Sequence, residues 1–166
     1  MRRRQGVDFV EFVANRSAAL FRTAYVLTGD RHTAEDLVQG ALEKACRRWN
    51  RVAAADSPEA YVRRILVNLA NDRWRGLGYD LAAEPPDGPD PRDAYQGVEH
   101  RDQLTRALHA LPIGMRTVVV LHYLHDMGDA EIAAALGVTP SSVRSQLSRG
   151  LAKLRAVSAP AEEGSR

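Results

Sequence analysis

The chain has 166 residues, 45% of them apolar, enough to bury the core of one ordinary domain or of two small ones and too many for a disordered tail. Its 23 basic residues nearly balance 21 acidic ones, so bulk charge selects no partner. A single cysteine, Cys46, excludes an intrachain disulfide and a cysteine-rich zinc site. The charge is unevenly spread, however: residues 1–76 carry 14 basic and 9 acidic groups, residues 77–100 carry 1 and 6, and residues 101–166 carry 8 and 6. Two basic segments flank an acidic one. Arg2, Arg3 and Arg4 look like the start of a secretion signal, but Asp8 and Glu11 interrupt the apolar stretch that should follow. No apolar run approaches the ~20 residues of a membrane span. A cytoplasmic protein with no membrane insertion is expected.

In chain order, Phe9, Val13, Leu20, Ala24 and Leu27 follow helical spacing, and Thr28, Gly29 and Asp30 end that run. A second helix is expected to open at Thr33, with Asp36 reaching back to complete its cap and Val38, Leu42, Ala45, Trp49 and Val52 as its buried stripe. A third opens at Ser57, with Pro58 at the first helical position, where a missing N–H costs nothing. Val62, Ile65, Leu66 and Leu69 form its apolar face. Between Gly76 and Gln96 the pattern collapses: Pro85, Pro86, Pro89 and Pro91 fall among glycines and acids, and prolines this dense exclude a helix or central strand. Residues 77–97 read as a linker. Beyond it, Leu104, Leu108 and Leu111 mark another helix, and Pro112 starts the next, with Met115, Val118, Val119 and Tyr123. Almost nothing alternates with period two. The fold class is all-α, two small helical domains on a flexible linker.

The stretch from Asp129 to Arg155 is the most specific in the chain. Asp129 is expected to cap a short helix carrying Ile132, Ala133 and Leu136, and Gly137 can take the positive φ that ends it. Thr139 then caps a second helix with Pro140 at its first position and Val143, Leu147, Leu151 and Leu154 as its buried stripe. This is a helix-turn-helix, whose second helix enters the major groove. Residues 140–155 carry Arg144, Arg149, Lys153 and Arg155 with no acid. Ser141, Ser142, Ser145, Gln146 and Ser148 add short polar groups suited to phosphates and base edges. The bland reading, a solvated basic helix, explains neither the caps nor the turn glycine.

The runs Thr33-Ala34-Glu35-Asp36-Leu37-Val38-Gln39 and Ala60-Tyr61-Val62-Arg63-Arg64-Ile65-Leu66-Val67-Asn68-Leu69-Ala70-Asn71-Asp72 closely resemble sigma-factor domain 2. Leu111 and Pro112, Arg116, and the run Val143-Arg144-Ser145-Gln146-Leu147-Ser148-Arg149 resemble sigma domain 4. Their order and spacing are similar to those of extracytoplasmic-function (ECF) sigma factors, the two-domain class of the sigma-70 family. Leu27-Thr28-Gly29-Asp30 and Val67-Asn68-Leu69-Ala70-Asn71 look most like the actinobacterial sigma-E-like group, although the linker lacks that group's basic, tryptophan-containing stretch.

The resemblance implies domain 2 over residues 1–76, an acidic linker over 77–100, domain 4 over 101–157 and a tail over 158–166. It implies core RNA polymerase as partner, through the β′ clamp helices and the β flap, together with promoter DNA; an anti-sigma factor is left open. Asp36, Gln39 and Glu43 would face the clamp helices, with Gly40 standing where the family usually has an acid. Residues 50–58 would pocket a base flipped from the −10 element. Arg64, Asn68, Asn71 and Arg75 would form a polar stripe against that element, with Trp74 either stacking on a base or filling the core. Pro140, Ser141, Ser142, Arg144, Ser145, Ser148, Arg149 and Lys153 would read the −35 element. Neither cofactor nor catalytic residue is implied.

Three rivals remain: a helix-turn-helix repressor or activator working without polymerase, a small helical enzyme, and a sigma-like decoy. No phosphate loop, nucleophile elbow or paired-carboxylate constellation supports the enzyme. His122, His125, Asp126 and Asp129 resemble a metal cluster but lack a defined set of ligands. The linker generates the first prediction: limited proteolysis of the free protein should cut first between about residues 77 and 97 and leave two helical fragments. Earlier cutting inside residues 101–155 would contradict the two-domain reading.

Overall fold

The computed structural model describes residues 8–78 and 103–158. Among them are eight helices and no strand, the all-α architecture expected: α1 (Phe9–Thr28), α2 (Arg31–Arg47), α3 (Trp49–Ala53), α4 (Pro58–Gly76), α5 (Gln103–Ala110), α6 (Ile113–Tyr123), α7 (Asp129–Leu136) and α8 (Pro140–Ser158). The chain divides into two compact units, Met1–Asp80 and Leu81–Arg166. Most of the linker and of the tail lies outside the described residues.

In the first unit, α1 buries Phe12, Leu20, Ala24 and Leu27, while Phe9 and Val13 are half-buried at its margin. Gly29 ends it in the left-handed conformation, φ 71°, and its N–H donates to the Tyr25 carbonyl. The chain turns straight into α2, leaving no room for the later start expected at Thr33. Asp30 is the cap instead: its carboxylate accepts the Thr33 backbone N–H at 3.0 Å and the Thr33 hydroxyl. The Thr33 hydroxyl, followed by backbone donors from Thr33 and His32, holds the Asp30 carboxyl below its ordinary range against some desolvation. Asp36 stays exposed, with His32 Nε2 at 3.6 Å from its carboxylate.

The stripe expected to run from Val38 to Val52 on one helix is split. Arg48 leaves helical geometry, φ −117° and ψ 24°, so Trp49 and Val52 belong to the separate α3. The stripe still works because both segments face one core. Val52 is fully buried, and the Trp49 ring lies 5.3 Å from both Phe9 and Phe12. Ser57 caps α4 through the Ala60 N–H at 3.1 Å, with Pro58 first, as expected. α4 buries Val62, Leu66, Val67, Ala70, Asn71 and Trp74; Ile65 and Leu69 sit half-buried. Gly40 belongs to this packing: a Cβ there would stand 3.3 Å from Leu69 Cδ1, so the glycine lets α2 approach α4.

In the second unit α6 is the central element, burying Ile113 and every residue from Met115 to Leu121. Leu108 and Leu111 join that core, but Leu104 and Tyr123, both expected inside, are 54% and 55% exposed. Leu104 lies near the first described residue of α5 and Tyr123 at the last of α6, away from the buried core. Arg116 is 3% exposed, and its guanidinium donates to the carbonyls of Leu108 (3.1 Å), His109 (2.9 Å) and Leu111 (3.0 Å). Two of these carbonyls belong to the last turn of α5, at the negative end of its dipole, and that of Leu108 also accepts the Leu111 N–H at 3.1 Å.

Two predictions follow from these caps. Arg116→Met removes three buried hydrogen bonds to carbonyls and should cost about 3 kcal/mol in urea unfolding; Arg116→Lys should recover only part, because an ammonium lacks the guanidinium fork. Loss of the Asp30 cap in Asp30→Ala should cost about 1 kcal/mol at neutral pH. Because the folded carboxyl titrates below the unfolded one, its contribution is present above the unfolded pKa and disappears as pH falls through the folded value. The difference between wild type and Asp30→Ala should therefore shrink in acid.

Candidate DNA and polymerase interfaces

The helix-turn-helix is built by backbone chemistry. Gly137, φ 68° and ψ 35°, closes α7 with its N–H on the Ala133 carbonyl. Thr139 Oγ1 accepts the Ser142 N–H at 3.1 Å and starts α8. The α7 cap is Gly128, in extended geometry, rather than Asp129, which is the first helical residue and makes no side-chain capping bond. The buried face of α8 is formed by Val143, Gln146 and Gly150, with Leu147, Leu151 and Leu154 half-buried beside it. Gln146, expected to reach DNA, is 5% exposed; it shares the helix face of Val143 and Gly150 and so turns inward. A Cβ on Gly150 would come within 2.9 Å of Val119 Cγ2, which makes this the tightest point between α6 and α8 among the glycines described.

The remaining face of α8 is outward. Pro140, Ser141, Arg144, Ser145, Ser148, Arg149, Lys153 and Arg155 are exposed, and Ser142 is half-buried beside its cap. Arg144 Nη1 stands 4.0 Å from Asp129 Oδ2. The geometry provides an acid-free, cationic, hydroxyl-bearing helix held against a rigid partner, which suits phosphate and base-edge contacts.

On α4, Arg64, Asn68 and Arg75 are exposed, but Asn71 is 4% exposed and Trp74 is also 4% exposed. Asn71 falls on the edge of the expected stripe nearest Val67 and Trp74, and that edge is covered. Asn71 is therefore a core residue, and Trp74 fills the core rather than offering a stacking surface. The proposed base-pocketing loop is shorter than expected, since α3 occupies residues 49–53 and leaves only residues 54–57 outside helices.

Asp36, Gln39 and Glu43 are all exposed on α2, and Gln39 Nε2 lies 3.4 Å from Glu43 Oε1. Beside them runs an apolar groove between α1 and α2, lined by Phe9, Phe21, Val38 and Leu42 and ending at the exposed Cys46. Sequence reasoning placed Leu42 in a closed stripe and missed the groove. It also missed a cleft lined by Cys46 to Arg51, in which Arg47, Arg48 and Arg51 are exposed. The available signal was the absence of acids from residues 44–55 beside four basic side chains.

The histidine and acid cluster resolves into turn chemistry. His122 Nδ1 lies 3.1 Å from the Met127 carbonyl and the ring sits edge-on to Tyr123. Among the described residues no group of three or more His, Cys, Asp or Glu side chains is placed to hold a metal, and no helix is long and apolar enough to cross a membrane.

Family comparisons agree on both units. Residues 12–78 match sigma-70 region 2, and residues 101–154 match sigma-70 region 4. The chain is 37% identical over 152 residues to the RNA polymerase sigma-E factor of Streptomyces antibioticus, covering 90% of this chain and 83% of that protein. It is 27% identical over 162 residues to the ECF sigma factor SigW of Bacillus subtilis, covering 89% and 87%. Among solved structures, the sigma factor RpoE of Bartonella quintana, in complex with the anti-sigma factor NepR, shares the fold with a TM-score of 0.63 at 23% identity, covering 90% of this chain and 96% of that one. With both regions matched in order and close relatives spanned over most of their length, this chain belongs to the sigma-70 family of RNA polymerase sigma factors, in its extracytoplasmic-function class.

Proposed function

We propose that this protein acts in the cytoplasm as a non-catalytic subunit of RNA polymerase, directing promoter-specific initiation with two DNA-facing helices. The observation that carries the reading is that both sigma regions occur in order on one chain, each presenting an exposed polar helix face. α8, through Pro140, Ser141, Ser142, Arg144, Ser145, Ser148, Arg149 and Lys153, reads the −35 element. α4, through Arg64, Asn68 and Arg75, holds the −10 element. Asp36, Gln39 and Glu43 meet the β′ clamp helices, and the adjacent groove gives that polar face an apolar neighbour. Tyr123 and Leu124, exposed at the end of α6, offer apolar surface to the β flap. The region 2 unit spans residues 1–76 and the region 4 unit 101–157, joined by the acidic segment 77–100. An anti-sigma factor is a further partner, as the complex of the Bartonella quintana relative suggests. Polymer chemistry stays with the core enzyme.

A repressor needs only duplex contacts, whereas a sigma factor must hold unpaired bases more favourably than stacked ones. Unstacking a base costs about a few kcal/mol, which single-strand contacts must offset. With Asn71 inside the core, the variant that isolates melting is Arg64→Ala combined with Asn68→Ala. It should leave polymerase binding and upstream recognition intact while lowering permanganate reactivity of thymines in the −10 region at least severalfold. A pre-melted bubble template should restore part of the lost transcription. The reading is falsified if the wild-type protein gives no polymerase-dependent permanganate signal at any promoter it binds.

A further inference from the structure

The recognition helix contains no acid, yet one carboxylate reaches it from outside. Asp129 Oδ2 stands 4.0 Å from Arg144 Nη1, and no other ion pair to Arg144 is found among the described residues. Three observations make this contact more than an incidental surface pair. First, Asp129 is not engaged in capping α7, because Gly128 holds the cap position and no side-chain capping bond is made. Second, Asp129 occupies the first helical position of α7, where the positive end of the dipole and exposed N–H groups favour a fixed negative charge. Its side chain is 32% exposed against 61% for Arg144, so the acid is the better-anchored partner. Third, α7 and α8 are locked together by the Gly137 turn, the Thr139 cap and the buried Ile132, Ala133, Leu136 and Val143. The carboxylate is therefore presented to the guanidinium from a rigid support.

A carboxylate at a DNA-facing surface carries a disadvantage, since it repels phosphates and lowers general affinity. Its advantage is geometric. An arginine on a single exposed helix samples many rotamers, and bidentate pairing with a guanine edge requires one of them. We propose that Asp129 is a positioning residue for sequence discrimination, orienting the Arg144 guanidinium towards a base edge at the expense of general DNA affinity. This rests on α8 being the −35 reading helix. It adds a residue outside that helix to the determinants of specificity.

Opposite effects on two measured quantities distinguish this role from simple structural support. The full chain, assembled with core RNA polymerase, is titrated against an upstream element selected by the wild-type holoenzyme from random duplexes, against its single-base substitutions, and against non-specific duplex. Asp129→Asn should raise affinity for non-specific duplex and reduce discrimination at one base pair by about two- to fivefold, the range expected of a half-exposed ion pair. Asp129→Ser, which preserves a good helix start, should do the same, and Asp129→Glu should retain most of the discrimination. In an Arg144→Ala background, Asp129→Asn should still raise non-specific affinity but leave discrimination unchanged. The proposal is overturned if both uncharged variants keep full discrimination, or if the loss is as large without Arg144. If Arg144→Ala itself leaves affinity and discrimination at wild-type levels, the recognition-helix reading fails and the Asp129 role falls with it. If Arg144→Ala relaxes discrimination and the Asp129 variants do not, only the positioning role fails.

Discussion

The second unit depends on the burial of one positive charge. A guanidinium removed from water needs its donors satisfied on nearly every side, and among the described residues Arg116 donates to three carbonyls at and just beyond the end of α5. The arrangement solves two problems together. The carbonyls at a helix C-terminus need donors, and a buried cation needs negative potential. The described part of α5 is eight residues, a length with little stability alone, so a fixed C-terminal end matters more to it than to a long helix. Because α6 carries the arginine and also packs against α7 and α8, this clasp ties α5 to the centre of the unit.

The first unit reaches the same end by a different route. The stripes of its three long helices meet in one core, and its joints are the glycine turn at Gly29 and the side-chain caps of Asp30 and Ser57. Where the chain breaks between α2 and α3, aromatic packing spans the interruption, with Trp49 set against two phenylalanines of α1. The consequence for function is that α2 and α4 can offer polar faces outward without weakening the core. The exposed Asp36, Gln39 and Glu43 give α2 a patch of acids and an amide between basic groups at its two ends, whereas the exposed face of α8 is cationic with no acid. The two surfaces suit chemically different partners, a protein helix in one case and a phosphate-lined groove in the other.

Helix existence, the helix-turn-helix and its turn glycine were legible because each depends on a local rule: apolar period, a φ that glycine tolerates, a threonine or serine cap before proline. What was not legible depended on neighbours. Thr33 and Asp30 are both good caps, and only the position of the preceding turn decides between them. Asn71 and Gln146 carry polar side chains that sequence reasoning sends outward, yet both fall on faces covered by other helices. Leu104 and Tyr123 fit an apolar period but lie at helix ends and remain more than half exposed. The Arg116 clasp was invisible as chemistry, although the residue itself stood out in the resemblance. An arginine at the fourth position of a helix announces neither its burial nor the carbonyls that receive it.

The close contact between Gly150 and Val119 has a consequence for how this protein can diversify. Base reading by α8 requires its backbone to sit at a set depth and rotation in the groove, and at this contact the backbone rests almost directly on a core valine. A larger side chain at position 119 would push the whole helix outward, while a smaller one would let it settle or tilt. Promoter preference can therefore drift through silent-looking changes in the apolar core, with every DNA-contacting side chain retained. Two proteins sharing all exposed residues of α8 need not share a binding sequence, because what they differ in lies beneath the reading surface rather than on it.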